Sequence, residues 1–503
     1  MTPGPEDGAG ANEAISPGEA LFEQWRARIG LVLGPLLGIA LAVFPPFEGS
    51  APAHILMGIM AWVSIYWITE PIPIPVTALL GVSACVVLGV APAKEAFAGF
   101  GHPVIFLLLG SLLLAQALMV HGVDRRVALW CLSHPAVSRS PARILVAMGA
   151  ITAFLSMWVS NTAATAMMYP IALGVLASLR RAGVRTAGGY GTTLLLMIAY
   201  AASVGGIGTL IGTPTNIIGA GIILDQLAIK LSFFDWMAFG VPTLCLSFMA
   251  LTGLLFLFHR PPTTDTTAFA TMIAHERRDL GPWRRGEITA ALAFGVAVTL
   301  WVLPGAVGVF VGMDSPSAQW LERRLPEGVV AVLAAGLLFL LPGNDRVSQS
   351  TLSWQEATRI DWGTLVLFGG GLALSNLMFQ TGLSTALGQT FMQTFPIETR
   401  WGLTLMAIVM GVLMSELASN TASAGLVVPL VIAIAQSAGI EPLLPALGAC
   451  LGASFGFMLP ISTPPNAIVY ASGMIPVTSM IRVGLLFDLI GILVIWGVLR
   501  LIF

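Results

Sequence analysis

The sequence predicts an all-α polytopic membrane protein built from inverted repeats with interrupted helices, and three observations carry that expectation. Of 503 residues, 56% are hydrophobic and only 10% charged, against about 25% charged in an ordinary soluble domain. Eleven apolar stretches approach the ~20 residues a helix needs to cross the hydrocarbon core. The 55 glycines and 32 prolines point to broken helices, which lipid tolerates only where the freed backbone is buried in protein or lines a cavity. There is too little polar surface for a soluble enzyme or a disordered chain. A net charge of −2 supplies no basic field for nucleic acid. Cys85, Cys131, Cys245 and Cys450 stand far apart, without metal-ligand spacing, and are expected as small apolar packers.

In chain order, residues 1–24 are polar and hold Gly, Pro and Glu, as a disordered cytoplasmic tail would. Spans follow at 29–46, 53–70, 73–92 and 103–122, then at 193–230 (interrupted), 236–258, 287–304, 327–342, 361–380, 443–475 (interrupted) and 481–502. Two further apolar stretches, 144–179 and 401–437, are each split by a polar tripeptide.

Lys and Arg stay cytoplasmic, so Arg26 and Arg28 put the N-terminus inside. Stretch 144–179 has Arg125, Arg126, Arg139 and Arg143 before it and Arg180, Arg181 and Arg185 after it. Both ends are therefore cytoplasmic. Its two legs of about 16 residues make ~24 Å of helix, short of a full crossing, which predicts a re-entrant hairpin. Stretch 401–437, flanked only by Arg400, enters from outside by the span count. The loop 259–286, with Arg260, Arg277, Arg278, Arg284 and Arg285, is expected to be cytoplasmic, as are Arg346, Arg359 and Arg482. Arg323 and Arg324 fall outside, against the rule. Eleven spans from an inside start leave the C-terminus outside.

Two halves of the chain repeat. Phe106-Leu-Leu-Leu-Gly110 through Gly122 matches Val366-Leu-Phe-Gly-Gly370 through Gly382. Ser160-Asn161-Thr162-Ala163 recurs as Ser419-Asn420-Thr421-Ala422, each with a serine four residues earlier (Ser156, Ser415) and a proline ten residues later (Pro170, Pro429). Gly212-Thr213-Pro214-Thr215-Asn216 recurs as Ser462-Thr463-Pro464-Pro465-Asn466. The first copy starts outside, at 103, and the second inside, at 361, so the repeats are inverted. Inverted repeats with interrupted helices point to a secondary transporter with its site near the midplane.

The chemistry follows from these blocks. Each Ser-Asn-Thr tip joins two helical legs and offers neutral donors and acceptors. The second leg begins there, so its free N–H groups and positive dipole end face the same place, an anion site without a cationic side chain. The proline breaks free carbonyls that a bound cation would satisfy. No Lys or Arg lies in 144–179, 401–437, 205–218 or 455–473, so an anionic substrate there needs a counter-charge, and sodium held by oxygen ligands supplies one. Glu416 is the only acid inside either hairpin. It is either a functional intramembrane acid, a neutral hydrogen-bonded residue, or a side chain facing an aqueous vestibule. Glu70 is expected at a membrane edge, and His102 and His121 at span ends. No nucleophile–His pair or aspartate pair appears at membrane depth, so an enzyme is not expected. A channel is the remaining class, which the inverted repeat and closed tips suit less well than alternating access.

The paired Ser-Asn-Thr tripeptides, each followed by a Thr-Pro-x-Asn break, resemble the divalent anion/sodium symporter family over about residues 25–503. That family carries dicarboxylates, citrate or sulfate. The resemblance implies a homodimer of elevator-type transporters, with scaffold helices at 25–102 and 287–360. The first inverted repeat would be 103–258 (hairpin 144–179, broken helix 193–230) and the second 361–503 (hairpin 401–437, broken helix 443–475). By motif it implies substrate contacts from Ser160, Asn161, Thr162, Ser419, Asn420 and Thr421, with Thr213, Thr463 and Pro464 closing the site. It implies a first sodium on Ser156, Ser160, Asn161 and Gly212, and a second on Ser415, Ala418, Asn420 and Ser462. The sequence departs at Thr215, where the family often has a second proline. An exchanger branch uses cationic side chains in place of sodium, and none stands at these positions. The expected activity is sodium-coupled import of C4-dicarboxylates (succinate, malate, fumarate) across the plasma membrane. The alternatives are a citrate or sulfate carrier, or a sodium-independent dicarboxylate exchanger.

Overall fold

The computed structural model describes residues 17–137, 140–181, 189–259, 261–262, 266–312, 315–343, 350–395 and 397–503. The expectations for Arg139, Arg185, Arg260, Arg346 and residues 1–16 lie outside them. Among the described residues the regular structure is helical, apart from one isolated bridge, Pro342 to Ser350.

The chain opens with α1 (Pro17–Val43), α2 (Ala51–Thr69), α3 (Ile74–Val87) and α4 (Ala93–Ala96). Helix α1 starts inside the stretch expected to be tail, because Pro17 suits a first helical turn and Glu19, Ala20 and Leu21 propagate it. Then come α5 (Pro103–His121), α6 (Val123–Leu132), α7 (Pro141–Ser156), α8 (Asn161–Arg181), α9 (Gly191–Gly206), α10 (Pro214–Leu227) and α11 (Phe233–Phe258). The middle holds α12 (Thr267–Asp279), α13 (Arg285–Val311), α14 (Pro316–Arg324), α15 (Glu327–Leu340) and α16 (Trp354–Ala357). The second half runs α17 (Trp362–Gln380), α18 (Leu383–Thr394), α19 (Arg400–Leu417), α20 (Asn420–Ser437), α21 (Leu443–Gly452), α22 (Pro464–Tyr470) and α23 (Val477–Ile502).

Ten of the described helices are long and apolar enough to cross a membrane, and three of these, α8, α19 and α20, are hairpin legs. The other seven, with the shorter α3 and α15 and the broken pairs α9–α10 and α21–α22, make the eleven passes the sequence predicts. Helices α6 and α18 were not foreseen. Each follows a glycine in the left-handed region, Gly122 (φ +70°) and Gly382 (φ +80°), where a side chain would be strained. Both are short and carry polar residues on one face, so they give no hydrophobic run to find.

The repeats pack alike. In the first, α7 lies on α9 so closely that a methyl on Gly205 would meet the Ala153 carbonyl oxygen at 2.3 Å. In the second, α19 lies on α21, and a methyl on Gly411 or Gly452 would meet the carbonyl oxygens of Ala449 or Ile408 at 2.5 Å. Small residues permit such backbone approach between helices in lipid. The broken helices then cross over: α22 packs on α8 and α9, and α10 on α20 and α21. At the crossing Gly219 faces Cys450, whose thiol lies 3.4 Å from the Thr215 carbonyl oxygen. Cys450 and Cys85 are buried packers as expected, Cys131 is half-buried, and Cys245 in α11 is exposed.

Candidate functional site

Each hairpin tip is closed by one side-chain hydrogen bond. At the first, the Ser156 hydroxyl donates to Asn161 Oδ1 at 2.8 Å. At the second, the Ser415 hydroxyl donates to Asn420 Oδ1, also at 2.8 Å. The bond spans five residues in both, so it ties the last turn of the first leg to the first residue of the second. Ser160 and Ser419 then cap the second legs, accepting from the N–H groups of Ala163 (3.2 Å) and Ala422 (3.3 Å). Beyond the caps, α8 and α20 run on through Pro170 and Pro429.

The breaks are equally matched. Asn216 Nδ2 donates to the carbonyls of Gly206 (2.9 Å) and Thr209 (2.7 Å). Asn466 Nδ2 donates to Gly456 (3.3 Å) and Leu459 (3.0 Å), the same ten and seven residues back. A side-chain amide therefore takes part of the load that sequence reasoning gave to a cation alone. Asn216 Oδ1 and Asn466 Oδ1 are buried without a hydrogen-bond partner. The motif made both asparagines visible, but which carbonyls they reach depends on how the break folds back.

The first break meets the first tip at Gly206. A methyl there would lie 2.4 Å from Asn161 Oδ1 and 3.1 Å from the Gly212 carbonyl oxygen, so Ser156, Asn161 and Gly212 do converge. At the second, Gly456 presses on Ser415, whose hydroxyl also reaches the Ala453 carbonyl at 2.9 Å. Ser462 stands where the first half has Gly212, and its hydroxyl donates to Glu416 Oε2 at 2.7 Å. Glu416 Oε1 accepts from the Met458 N–H at 2.8 Å. Of the three roles left open for Glu416, the vestibule is removed, since its side chain is buried.

Burial sorts the rest. Ser156, Ser415, Ala418 and Ser462 are buried, as are Thr213 and Thr463. Asn161, Ser419, Asn420 and Thr421 are half-buried, and Ser160, Thr162 and Pro464 are exposed. Thr463 Oγ1 accepts from the Asn466 N–H and so caps the restart of its helix, while Thr213 Oγ1 donates to Thr215 Oγ1 at 3.4 Å without capping. Two clusters of uncharged oxygens behind an exposed polar rim suit hard cations with an anion in front. Among the described residues no group of three or more His, Cys, Asp or Glu is placed to hold a metal ion.

Sequence reasoning passed over Asp488, Tyr200 and the Asp225 partner of His102, a histidine it places only at a span end. Asp488, mid-way along α23, is buried beside Glu416, and an acid within a span was the signal that could have found it. Tyr200, fully buried, donates to the Phe457 carbonyl at 2.7 Å. His102 caps α5, and its Nε2 lies 3.0 Å from Asp225 Oδ1 at the end of α10.

Inverted repeats with two hairpins and two broken helices around a polar centre define a secondary transporter. Over residues 30–502 the chain matches the family described as the sodium:sulfate symporter transmembrane region, and it belongs to that family. It is 34% identical over 468 residues to an uncharacterised transporter of Haemophilus influenzae, covering 92% of this chain and 94% of that protein. It is 32% identical over 476 residues to the sodium-dependent dicarboxylate transporter SdcS of Staphylococcus saprophyticus, covering 93% and 89%. Its fold is similar to that of the YdaH transporter of Alcanivorax borkumensis, with a TM-score of 0.51 at 13% identity, over 96% of this chain and 97% of the other.

Proposed function

We propose that this chain imports C4-dicarboxylates such as succinate, malate and fumarate, driven by sodium. The observation that carries the reading is the pair of matching Ser–Asn clasps, each beside a carbonyl-rich break, with no Lys or Arg in the segments that form them. The relatives named as sodium-dependent dicarboxylate transporters support the same cargo and coupling ion. In this reading Ser156, Ser160, Asn161 and Gly212 hold one sodium, and Ser415, Ala418, Asn420 and Ser462 hold another. The exposed hydroxyls of Ser160 and Thr162, with Asn161, Ser419, Asn420 and Thr421, meet the two carboxylates. Thr213, Thr463 and Pro464 shape the site from behind.

The protein works as a plasma-membrane homodimer with a cytoplasmic N-terminus and an outer C-terminus. The crossed hairpins and broken helices form the moving body of an elevator. The helices within 25–102 and 287–360 form its static scaffold.

The test is uptake of labelled succinate into proteoliposomes with an inward sodium gradient, against a potassium control. Sodium-dependent accumulation, competed by malate and not by sulfate, is expected. Uptake that needs internal succinate and ignores sodium would make the protein an exchanger and empty both cation sites.

A further inference from the structure

Away from the polar centre, a cavity of about 400 Å³ lies between α6 and the turn that joins α12 to α13. It is lined by Arg126, Val127, Trp130, Arg277, Leu280 and Trp283. Arg126 builds one wall. Its guanidinium donates to the carbonyls of Gly281 (2.9 Å), Leu280 (3.2 Å) and Pro282 (3.3 Å) and to Glu287 Oε1 (2.8 Å). It also stands 4.9 Å from the centre of the Trp283 ring. These contacts fix the turn, and Glu287 neutralises Arg126.

The unneutralised charge is on α12 and the turn. Glu276 pairs with Arg125, and Asp279 lies against His275, so the acids of this edge are taken. Arg277 donates to the Ser133 hydroxyl at 2.8 Å and forms no ion pair among the described residues. The exposed Arg278 and Arg284 form none there either. Positive charge without a carboxylate therefore stands in the cavity wall, at Arg277, and beside it.

The surroundings place the cavity at the lipid boundary. Helix α13, long and apolar enough to cross a membrane, begins at Arg285, two residues after Trp283. Trp130 is 65% exposed and Trp283 51%, as indole rings at headgroup level are. From there Ile288, Leu292 and Val296 stand exposed at four-residue spacing, along one face of α13. A small soluble anion would meet the arginines and leave the indoles and the apolar face unused. An acidic lipid meets all three.

We infer that this cavity binds one anionic glycerophospholipid. Its phosphate meets Arg277, its glycerol esters lie between Trp130 and Trp283, and its acyl chains follow the Ile288–Leu292–Val296 face. Basic pockets at the ends of membrane helices suit such headgroups. The bound lipid joins α6, which leads into the first hairpin, to the start of α13.

The test needs neither sodium nor succinate. Purified full-length protein is placed in phosphatidylethanolamine vesicles with a trace of phosphatidylglycerol that carries a photoreactive diazirine on one acyl chain, and the labelled peptides are mapped. Label is expected on residues 127–133 and 280–296, displaced by unlabelled phosphatidylglycerol and not by inorganic phosphate. Arg277→Gln is expected to need about fivefold more lipid for equal labelling, a change of about 1 kcal/mol. Trp130→Ala, at an exposed position, is expected to lower labelling as well. Label spread evenly over the lipid-facing helices would overturn the inference, as would labelling unchanged in both variants. Displacement by inorganic phosphate would make this a site for a free anion and overturn the assignment to lipid.

Discussion

At the first tip, Ser156 reaches Asn161 between Met157 and Gly212; at the second, Ser415 reaches Asn420 between Glu416 and Ser462. The clasp and cap hydrogen bonds of the two tips agree to a tenth of an ångström. The groups around it are not, since the first surroundings are neutral and the second hold a buried acid tied to a serine. Inverted repeats thus reproduce backbone geometry, which spacing controls, while single side chains give each copy its own electrostatics. Under the proposed sodium sites, the first clasp offers a cation dipoles alone, whereas the second has a carboxylate close behind it.

The largest expected effect separates the two directly. Asn161→Ala removes an oxygen from a tip that has no carboxylate bound to it, as Glu416 is at the second, and sodium and succinate affinity are expected to weaken together. The loss in uptake efficiency is expected to be about 100-fold, roughly 2.7 kcal/mol. Asn420→Ala leaves Glu416 in place and is expected to lose only about tenfold. Equal losses would mean that Glu416 lends the second clasp nothing. Unchanged sodium affinity in Asn161→Ala would break the assignment of that amide to both ligands.

A middle-sized effect tests the breaks. Replacing Asn216 or Asn466 by Ala strips two carbonyls of their donor, at about 1–3 kcal/mol for each buried group left unpaired. Heat unfolding in detergent is expected to show the larger loss for Asn216, whose bonds of 2.9 and 2.7 Å are shorter than the 3.3 and 3.0 Å of Asn466. A larger loss for Asn466 would mean that the second break depends more on its amide than the first.

The smallest effect lies outside the repeats' core. Asp124 begins α6, and burial pushes its carboxyl up to about 6, against the Arg125 N–H that it accepts. Its folded value lies above its unfolded one, so the native state binds the extra proton. Stability is expected to fall as pH rises from about 4 to 6 and then to level off, by at most roughly 2–3 kcal/mol. Asp124→Asn is expected to flatten that slope in a melting series. Position 384, two beyond Gly382 as 124 is beyond Gly122, holds Ser384, so the second repeat has no such group.

Much of this was legible in the chain because the relevant signals are local. Ser156 and Asn161, or Thr213 and Asn216, sit within one or two helical turns, so their spacing already fixes who can meet. Gly122 and Gly382 marked the ends of matched blocks for the same reason. What stayed hidden depends on distant parts of the chain. Asp488 meets Glu416 from 72 positions away, and Tyr200 reaches Phe457 across 257. The exchange of broken helices between repeats, α22 onto α8 and α10 onto α20, leaves no mark in either repeat alone. Helices α6 and α18 escaped notice because a surface helix hides among ordinary polar residues.

The seams at Gly205, Gly411 and Gly452 leave no room for even one added carbon. A wall so tight cannot be redesigned by degrees, whereas the three-residue tips stand at an open rim. If the tips meet the cargo as proposed, diversification of cargo is confined to a handful of replaceable positions on a fixed chassis, and a lineage could trade one anion for another without refolding the machine.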